Sequence, residues 1–156
     1  MKDGFVKVAA MVPDIRVADT EHNINECKRL YDEALSEGAK IIVFPELCIS
    51  GYTCGDLFLQ EILIRKCSEA LLNFAAFTEG RDGICFLGLP VMHMGKLYNV
   101  AAAVSGGEIL GLVPKTYIPN YNEFYEARYF AKGNSETRYV NIGAEDEVLM
   151  GTKLIF

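Results

Sequence analysis

Residues 41–52 read IIVFPELCISGY, and this stretch decides the fold. The apolar run 41–44 is typical of a strand buried inside a parallel sheet. Pro45 has no amide hydrogen to donate to a neighbouring strand, so we expect the strand to end there. Glu46 is then a carboxylate at the carboxyl end of a central strand, where ligands bind in open α/β sheets. Because a charge at that position is costly to remove from water, it needs a partner or a task.

The sequence before this stretch predicts a β-α-β unit. Residues 5–12 are typical of a first strand, and an amphipathic helix follows with Asp19 or Thr20 as its N-cap. Gly38 suits the end of that helix. With the strand at 41–44, these elements form a unit whose crossover is expected to be right-handed.

The remaining sequence predicts a second helix and further strands. We expect the helix at residues 56–77, ending near Gly80, and strands at 84–89, 97–104, 109–113, 139–142 and 152–156. Gly106 and Gly107 separate two of these strands and indicate a hairpin. Residues 114–134 are rich in Tyr, Asn, Glu and Pro and lack a clean period, which is typical of a long functional loop.

Composition excludes several classes of function. The chain has 156 residues and a formal net charge of −6, which argues against a nucleic-acid partner. It contains no apolar run of the roughly 18 residues that a membrane span requires. Five cysteines at irregular spacings without a secretory signal predict reduced thiols and a cytoplasmic location. Neither histidine has a Cys or His at metal-ligand spacing, so no metal site is expected.

Three features are candidates for chemistry, and the residues alone leave two interpretations of each open. Glu46 is either a loop carboxylate paired with a surface cation or a general base. Lys115, which follows a second apolar strand, is either a solvated lysine or a fixed ammonium that stabilises an oxyanion. The aromatic-rich segment 117–130 either packs on the sheet or forms the wall of a pocket for a small polar substrate.

The motifs together are more specific than any one of them. FPELxxxGY at residues 44–52, followed by PKxYxPNYxxFYExRYF at 114–130, resembles the carbon-nitrogen hydrolase (nitrilase) superfamily. The PNY and EFYE elements, with Gly55-Asp56, are most similar to the glutaminase domains of glutamine-dependent NAD synthetases. The resemblance covers the whole chain and implies an α/β fold, a nitrilase-like αββα sandwich. Residues 1–156 would be the N-terminal part of that carbon-nitrogen hydrolase domain.

The resemblance also implies roles for individual residues. Glu46 matches the general base of a Glu-Lys-Cys triad, and Lys115, which lies 69 residues later, matches its lysine. Glu126 matches a further carboxylate that positions the substrate and the lysine. Tyr121 matches a residue lining the glutamine pocket, and Tyr52 and Phe124 match residues near that pocket.

The nucleophile is the departure from the family pattern. The family cysteine lies in a motif like GxxICED, after the strand that follows the lysine loop, and none of the five cysteines has that context. Cys54, in a glycine-flanked turn, is the one expected to be exposed. The resemblance thus implies a chain truncated before the catalytic cysteine, without the rest of the sandwich or the ATP-dependent synthetase domain.

The implied partners follow from the same resemblance. They are L-glutamine as substrate, the absent synthetase domain with its ATP and magnesium, and further copies of the parent protein in a homo-oligomer. No cofactor is implied for the chain itself, and no nucleic acid or membrane.

Three hypotheses about function result. The chain is part of the glutamine amidohydrolase of an NAD synthetase, or part of another amidase or carbamoyl-amide hydrolase of the superfamily, or a catalytically inactive folded module. On its own, the chain is expected to be inactive and to aggregate, because an incomplete sandwich leaves an apolar face and open strand edges uncovered.

Overall fold

Two amphipathic helices and a seven-stranded sheet form the architecture of the computed structural model, which describes residues 4–143 and 147–156. The helices are α1 (Thr20–Ser36) and α2 (Glu61–Phe77). The strands are β1 (Val8–Ala10), β2 (Ile41–Val43), β3 (Ile84–His93), β4 (Lys96–Ser105), β5 (Glu108–Pro114), β6 (Arg138–Asn141) and β7 (Glu147–Met150). Their order across the sheet is β1-β2-β3-β4-β5-β7-β6.

Helix α1 begins and ends where the sequence predicts. The Asp19 side chain accepts a hydrogen bond from the His22 backbone amide at 3.1 Å, which satisfies one of the unpaired donors of the first turn. Gly38 ends the helix in the left-handed conformation and donates to the Leu35 carbonyl at 2.8 Å. The apolar face between these ends is buried, which confirms the predicted helix.

Strand directions bring the candidate residues to one edge of the sheet. Strands β1, β2 and β3 are parallel to one another, whereas β4 is antiparallel to both β3 and β5. The carboxyl ends of β2, β3 and β5 therefore lie together with the start of β4. We call this border of the sheet the site edge; Glu46 follows β2 there and Lys115 follows β5.

The β4–β5 hairpin has the turn that its glycines predict. Gly106 and Gly107 have φ values of +59° and +93°. Two consecutive residues with positive φ are what a tight type I′ hairpin turn requires, and only glycine adopts that pair without strain.

Strand β3 is longer than predicted. The sequence predicts a strand that ends at Leu89, before Pro90, whereas β3 continues through Pro90 to His93. Pro90 lies opposite Asn99 of β4, and the Asn99 carbonyl points away from it, towards β5. In an antiparallel pair both polar groups of a residue point to one side. The nitrogen of Pro90 therefore faces the β2 side, where β2 has already ended at Val43, so the missing amide hydrogen removes no bond between strands.

Other element boundaries also differ from the prediction. The first strand is only Val8–Ala10, and residues 55–59 form a separate 3₁₀ turn before α2 begins at Glu61. Because the 3₁₀ turn is separate from α2, the Phe58 side chain points inward and packs in a buried aromatic cluster. Residues 152–156 are not a strand; β7 precedes them, and Phe156 lies against Phe86 with ring centroids 5.9 Å apart.

One face of the sheet lacks a helical cover in the described part of the chain. The helices bury Ile42, Cys85 and Leu87, which point to one side, whereas Val43 and Phe86 point to the other. Val43 is 44% exposed and lines a groove of about 600 Å³ that also contacts Glu46 and Lys115. The expected uncovered apolar face is therefore present.

Neither α1, α2 nor any other described helix is long and apolar enough to span a membrane.

Candidate active site

Glu46 and Lys115 form an ion pair at the site edge. The Lys115 Nζ atom lies 2.6 Å from Glu46 Oε1. The two residues are far apart in the sequence, but each follows a strand whose carboxyl end lies at this border. The sheet topology therefore brings together the two residues that the sequence analysis singled out first.

A close backbone approach fixes Glu46. A Cβ atom on Gly88 would lie 2.2 Å from the Leu47 nitrogen and 2.9 Å from the Glu46 Cα, so only glycine fits beneath this segment. Leu47 itself has a φ of +52° and a fully buried side chain. A non-glycine residue in this conformation is strained by about 1–2 kcal/mol, and such strain concentrates at functional sites.

Lys115 is held by its backbone on both sides. Its amide donates to the Asn99 carbonyl at 2.8 Å, which extends the β4–β5 ladder past Pro114. Its carbonyl accepts from the Gly133 amide at 2.9 Å. A Cβ on Gly133 would lie 2.7 Å from the Pro114 oxygen, so the glycine lets the chain return closely beside the strand. The loop between Lys115 and Gly133 is thus tied at both ends.

Glu126 is a buried carboxylate that completes the charged network. It opens the 3₁₀ turn Glu126–Arg128 and is only 6% exposed. Both of its carboxylate oxygens lie 2.9 Å from Lys115 Nζ, and the Tyr52 hydroxyl donates to Oε1 at 2.7 Å. A buried charge is tolerated when it is paired and hydrogen-bonded in this way.

The network changes the titration of two of its members. Burial alone would lower the pKa of Lys115, but its hydrogen bonds to Glu46 and Glu126 outweigh burial and raise that pKa above the ordinary lysine value. Burial and the hydrogen bond to Glu126 raise the pKa of Tyr52 well above that of free tyrosine. Lys115 is therefore a cation and Tyr52 a neutral donor at neutral pH.

Contacts with an earlier part of the chain hold the turn that carries Glu126. The Phe58 ring lies 5.0 Å from the Phe130 ring and 5.7 Å from the Tyr129 ring. On the outside, Asp56 accepts from Arg128 Nε at 3.1 Å and from the Tyr129 hydroxyl at 3.0 Å. Hydrogen bonds from Arg128 and Tyr129 lower the pKa of Asp56. The aromatic contacts of Phe58 and the hydrogen bonds of Asp56 to Arg128 and Tyr129, which we call the clamp, thus position the Glu126 carboxylate.

The three predicted pocket residues lie in different surroundings. Tyr52 and Phe124 line a cavity of about 180 Å³ together with Glu126. Tyr121 is 63% exposed and packs against Phe124, with ring centroids 5.6 Å apart. The structure thus brings Tyr52 into the network, places Phe124 beside it, and leaves Tyr121 on the outer surface of the loop.

Asn99 is a site residue that sequence analysis missed. It is 3% exposed, and its Nδ2 atom donates to Glu46 Oε1. The signal was available, because Asn99 is the one strongly polar side chain within the apolar run LYNVAAAV. A polar residue inside a buried strand needs a partner, and here that partner is the candidate base.

All five cysteines are free and buried. The expectation that Cys54 is exposed was wrong, because its thiol turns inward and donates to the Ser50 carbonyl at 3.1 Å. Burial raises the pKa of Cys54, Cys67 and Cys85. A hydrogen bond with Cys48, together with burial, raises that of Cys27. Over residues 4–143 and 147–156, no group of three or more His, Cys, Asp or Glu side chains is arranged to hold a metal ion.

Comparison with known proteins identifies relatives along most of the chain. The carbon-nitrogen hydrolase family model matches residues 7–146. A glutamine-dependent NAD(+) synthetase of Mycobacterium tuberculosis is 37% identical over 153 residues, which is 98% of this chain and 22% of the relative. The enzyme of the same description from Aquifex aeolicus is 41% identical over 117 residues, 75% of this chain and 20% of that protein. The chain therefore spans about a fifth of the length of these relatives.

Solved structures show the same fold. A glutamine-dependent NAD(+) synthetase from Cytophaga hutchinsonii superposes with a TM-score of 0.87 at 27% identity, over 94% of this chain and 25% of that one. An amidase from Nesterenkonia sp. superposes with a TM-score of 0.71 at 19% identity, over 90% of this chain and 53% of that one, and shows the fold alone. The chain belongs to the carbon-nitrogen hydrolase family and is homologous to the N-terminal part of glutamine-dependent NAD synthetases.

Proposed function

We propose that residues 1–156 are the N-terminal part of the glutamine amidohydrolase domain of a glutamine-hydrolysing NAD synthetase. The domain would release ammonia for the ATP-dependent amidation of nicotinic acid adenine dinucleotide. The observation that carries the proposal is the placement of Lys115 Nζ within hydrogen-bond distance of both Glu46 and Glu126 at the site edge. Homology to synthetases that are named as glutamine-dependent supports the choice of substrate.

The geometry suits the acid–base half of amide hydrolysis. Glu46 takes the proton of a cysteine thiol, and the thiolate attacks the amide carbon of glutamine. Lys115 stabilises the oxyanion that forms, and collapse of the tetrahedral intermediate expels ammonia, protonated by Glu46, and leaves a thioester. Glu46 then takes a proton from water, whose hydroxide attacks the thioester, and glutamate and the thiol are released. Glu126 keeps Lys115 oriented throughout.

The nucleophilic cysteine belongs, in this proposal, to a part of the domain outside this chain. Support comes from the five cysteines present, all of which are buried. Four have raised pKa values, which disfavours the reactive thiolate. The Cys48 and Cys54 thiols donate to backbone carbonyls and not to Glu46.

The wider proposal concerns the parent protein. Its substrate is L-glutamine, its synthetase domain binds ATP and magnesium, and it assembles as a homo-oligomer. Five free, buried thiols support a reducing compartment, the cytoplasm.

A substrate panel tests the proposed activity. The longer protein that carries this chain is assayed for ammonia release from glutamine, asparagine, a short aliphatic amide and an N-carbamoyl amino acid. We expect the highest kcat/KM for glutamine. A preference for the aliphatic amide or the carbamoyl compound would contradict the proposal and favour a different amidase of the superfamily.

The isolated chain provides the second test. Because the proposal places the nucleophile elsewhere, we expect residues 1–156 to release no ammonia from glutamine above the Lys115→Met variant. Robust release would show that one of the five cysteines is the nucleophile. If the longer protein is also inactive on every amide, the chain is a non-catalytic module.

A further inference from the structure

Asn99 touches both members of the candidate catalytic pair. Its side-chain Nδ2 donates to Glu46 Oε1, and its backbone carbonyl accepts from the Lys115 amide at 2.8 Å. Strand β4 lies between β3, whose Gly88 supports the Glu46 segment, and β5, which ends beside Lys115. No other described residue makes hydrogen bonds to Glu46 with its side chain and to Lys115 with its backbone.

From this geometry we infer that Asn99 is a positioning residue for amide hydrolysis, which holds Glu46 by its side chain and Lys115 by its backbone. The inference rests on the proposed function, in which Glu46 is the base. It assigns Asn99 a role through Glu46, and not a contact with the substrate.

The two donors to Glu46 converge on one oxygen. Asn99 Nδ2 and Lys115 Nζ both bind Oε1, whereas Oε2 accepts no hydrogen bond from residues 4–143 or 147–156. Since Oε1 already has two donors, Oε2 is the oxygen that receives the proton from the thiol and later from water. The hydrogen bonds to Oε1 thus fix the orientation of Oε2 towards the thiol and the water.

The two donors to Glu46, Lys115 and Asn99, also have different roles during the reaction. Lys115 must turn its charge to the oxyanion, which weakens its bond to Glu46 as the reaction proceeds. An amide neither titrates nor takes part in proton transfer, so the Asn99 bond persists through both halves of the reaction. Asn99 is buried on a central strand, which gives it the rigid support that a positioning group needs.

Two variants in the longer protein separate positioning from a purely structural role. Asn99→Leu keeps the volume and removes the donor, and Asn99→Asp keeps the shape and places a second carboxylate against Glu46. For Asn99→Leu we expect glutaminase kcat to fall about 10- to 100-fold with KM within about twofold, as for a misaligned catalytic group. We also expect the acid limb of the kcat profile to move to higher pH, because a donor to the ionised form is lost.

The Asp variant should shift the acid limb further in the same direction, through repulsion of like charges. Asn141→Leu, at an exposed position of strand β6, is the control and should change neither kcat nor the profile. A lower kcat in Asn99→Leu with an unmoved pH profile would overturn the inference, because a structural defect alone gives that result. Unchanged kcat would overturn it as well.

A spectroscopic readout keeps this test separate from that of the proposed function. In the longer protein labelled with ¹⁵N-asparagine, the Asn99 side-chain amide should move upfield in Glu46→Ala and stay in place in the control Glu61→Ala. No movement would disprove the contact whatever the activity. A wild-type protein inactive on glutamine would instead refute the proposed function, and with it the catalytic role of Asn99, even if the contact is confirmed.

Discussion

Glu46 and Glu126 are two carboxylates on one lysine, but the molecule positions them by different means. Glu46 is fixed by the sheet, because it follows the interior strand β2, lies over Gly88 and is bound by Asn99 of β4. Glu126 lies in a loop and is fixed by contacts to residues about 70 positions earlier, Tyr52, Asp56 and Phe58. Glu46 depends on backbone packing and on one side chain of a buried strand, whereas Glu126 depends on side-chain contacts between distant segments. Different substitutions should therefore displace the two carboxylates.

Gly88→Ala should lower the unfolding free energy most, since it disturbs the sheet backbone that supports Glu46. A Cβ 2.2 Å from the Leu47 nitrogen forces the backbone beside Glu46 to move. Overpacking typically costs about 1–3 kcal/mol, and we expect the upper end of that range because the clash is with backbone atoms. Urea unfolding of the longer protein that carries this chain measures the loss. The control Gly95→Ala meets no atom within 4 Å and adds only left-handed strain, about 1 kcal/mol. Equal losses for the two variants would contradict the packing argument.

Lys115→Met tests the group that the two carboxylates share. Removing the cation leaves the buried Glu126 carboxylate without its ionic partner, which we expect to cost about 2 kcal/mol of unfolding free energy at pH 7. Because the folded-state pKa of Lys115 is raised, its contribution is complete below the unfolded value of about 10.4 and is lost as pH rises through the folded value. The unfolding free energies of the wild-type and Lys115→Met proteins, measured from pH 7 to 12, should therefore converge at the alkaline end. A constant difference would show that the charge is not responsible.

Tyr52→Phe weakens only the loop carboxylate. It deletes the hydroxyl that donates to Glu126 and keeps the ring. The loss of one partly exposed bond to a carboxylate should lower the unfolding free energy by about 1 kcal/mol. Thermal unfolding against the exposed control Tyr139→Phe measures the difference. A variant as stable as the control would mean that Glu126 does not need this donor.

Asp56→Asn should have the smallest effect, because the clamp to Arg128 is exposed and screened by water. We expect a change in stability within the error of denaturant unfolding at pH 7. The pKa of Asp56 is lowered in the folded chain, so what the clamp contributes is present above the ordinary aspartate value and is lost as pH falls through the lowered one. A large loss at pH 7 would show that the clamp, and not the Phe58 cluster, positions Glu126.

The same comparison explains what the sequence could reveal. Glu46 and Lys115 each follow an apolar strand, and strand ends at one edge are a local signal that topology converts into proximity. Glu126 has no such signal, because its place depends on a loop meeting Phe58 across the fold; only the family motif pointed to it. Asn99 was missed because the strand around it fits the apolar pattern, although its polarity was informative. The prediction ended β3 too early at Pro90. A proline inside a sheet is tolerated where the neighbouring strand has stopped, and the sequence alone does not show that β2 ends before it reaches Pro90.

The most direct test of the catalytic assignment is the rate of ammonia release from glutamine by the longer protein carrying Glu46→Gln. Glutamine keeps the shape of Glu46 and removes its capacity to accept the thiol proton. We expect kcat to fall about a thousandfold, within the range that general base catalysis contributes. The unfolding free energy should fall by only about 1 kcal/mol or less, because the ion pair with Lys115 that is lost is partly exposed. A Glu46→Gln protein that retains more than about a tenth of the wild-type rate would contradict the assignment of Glu46 as the base.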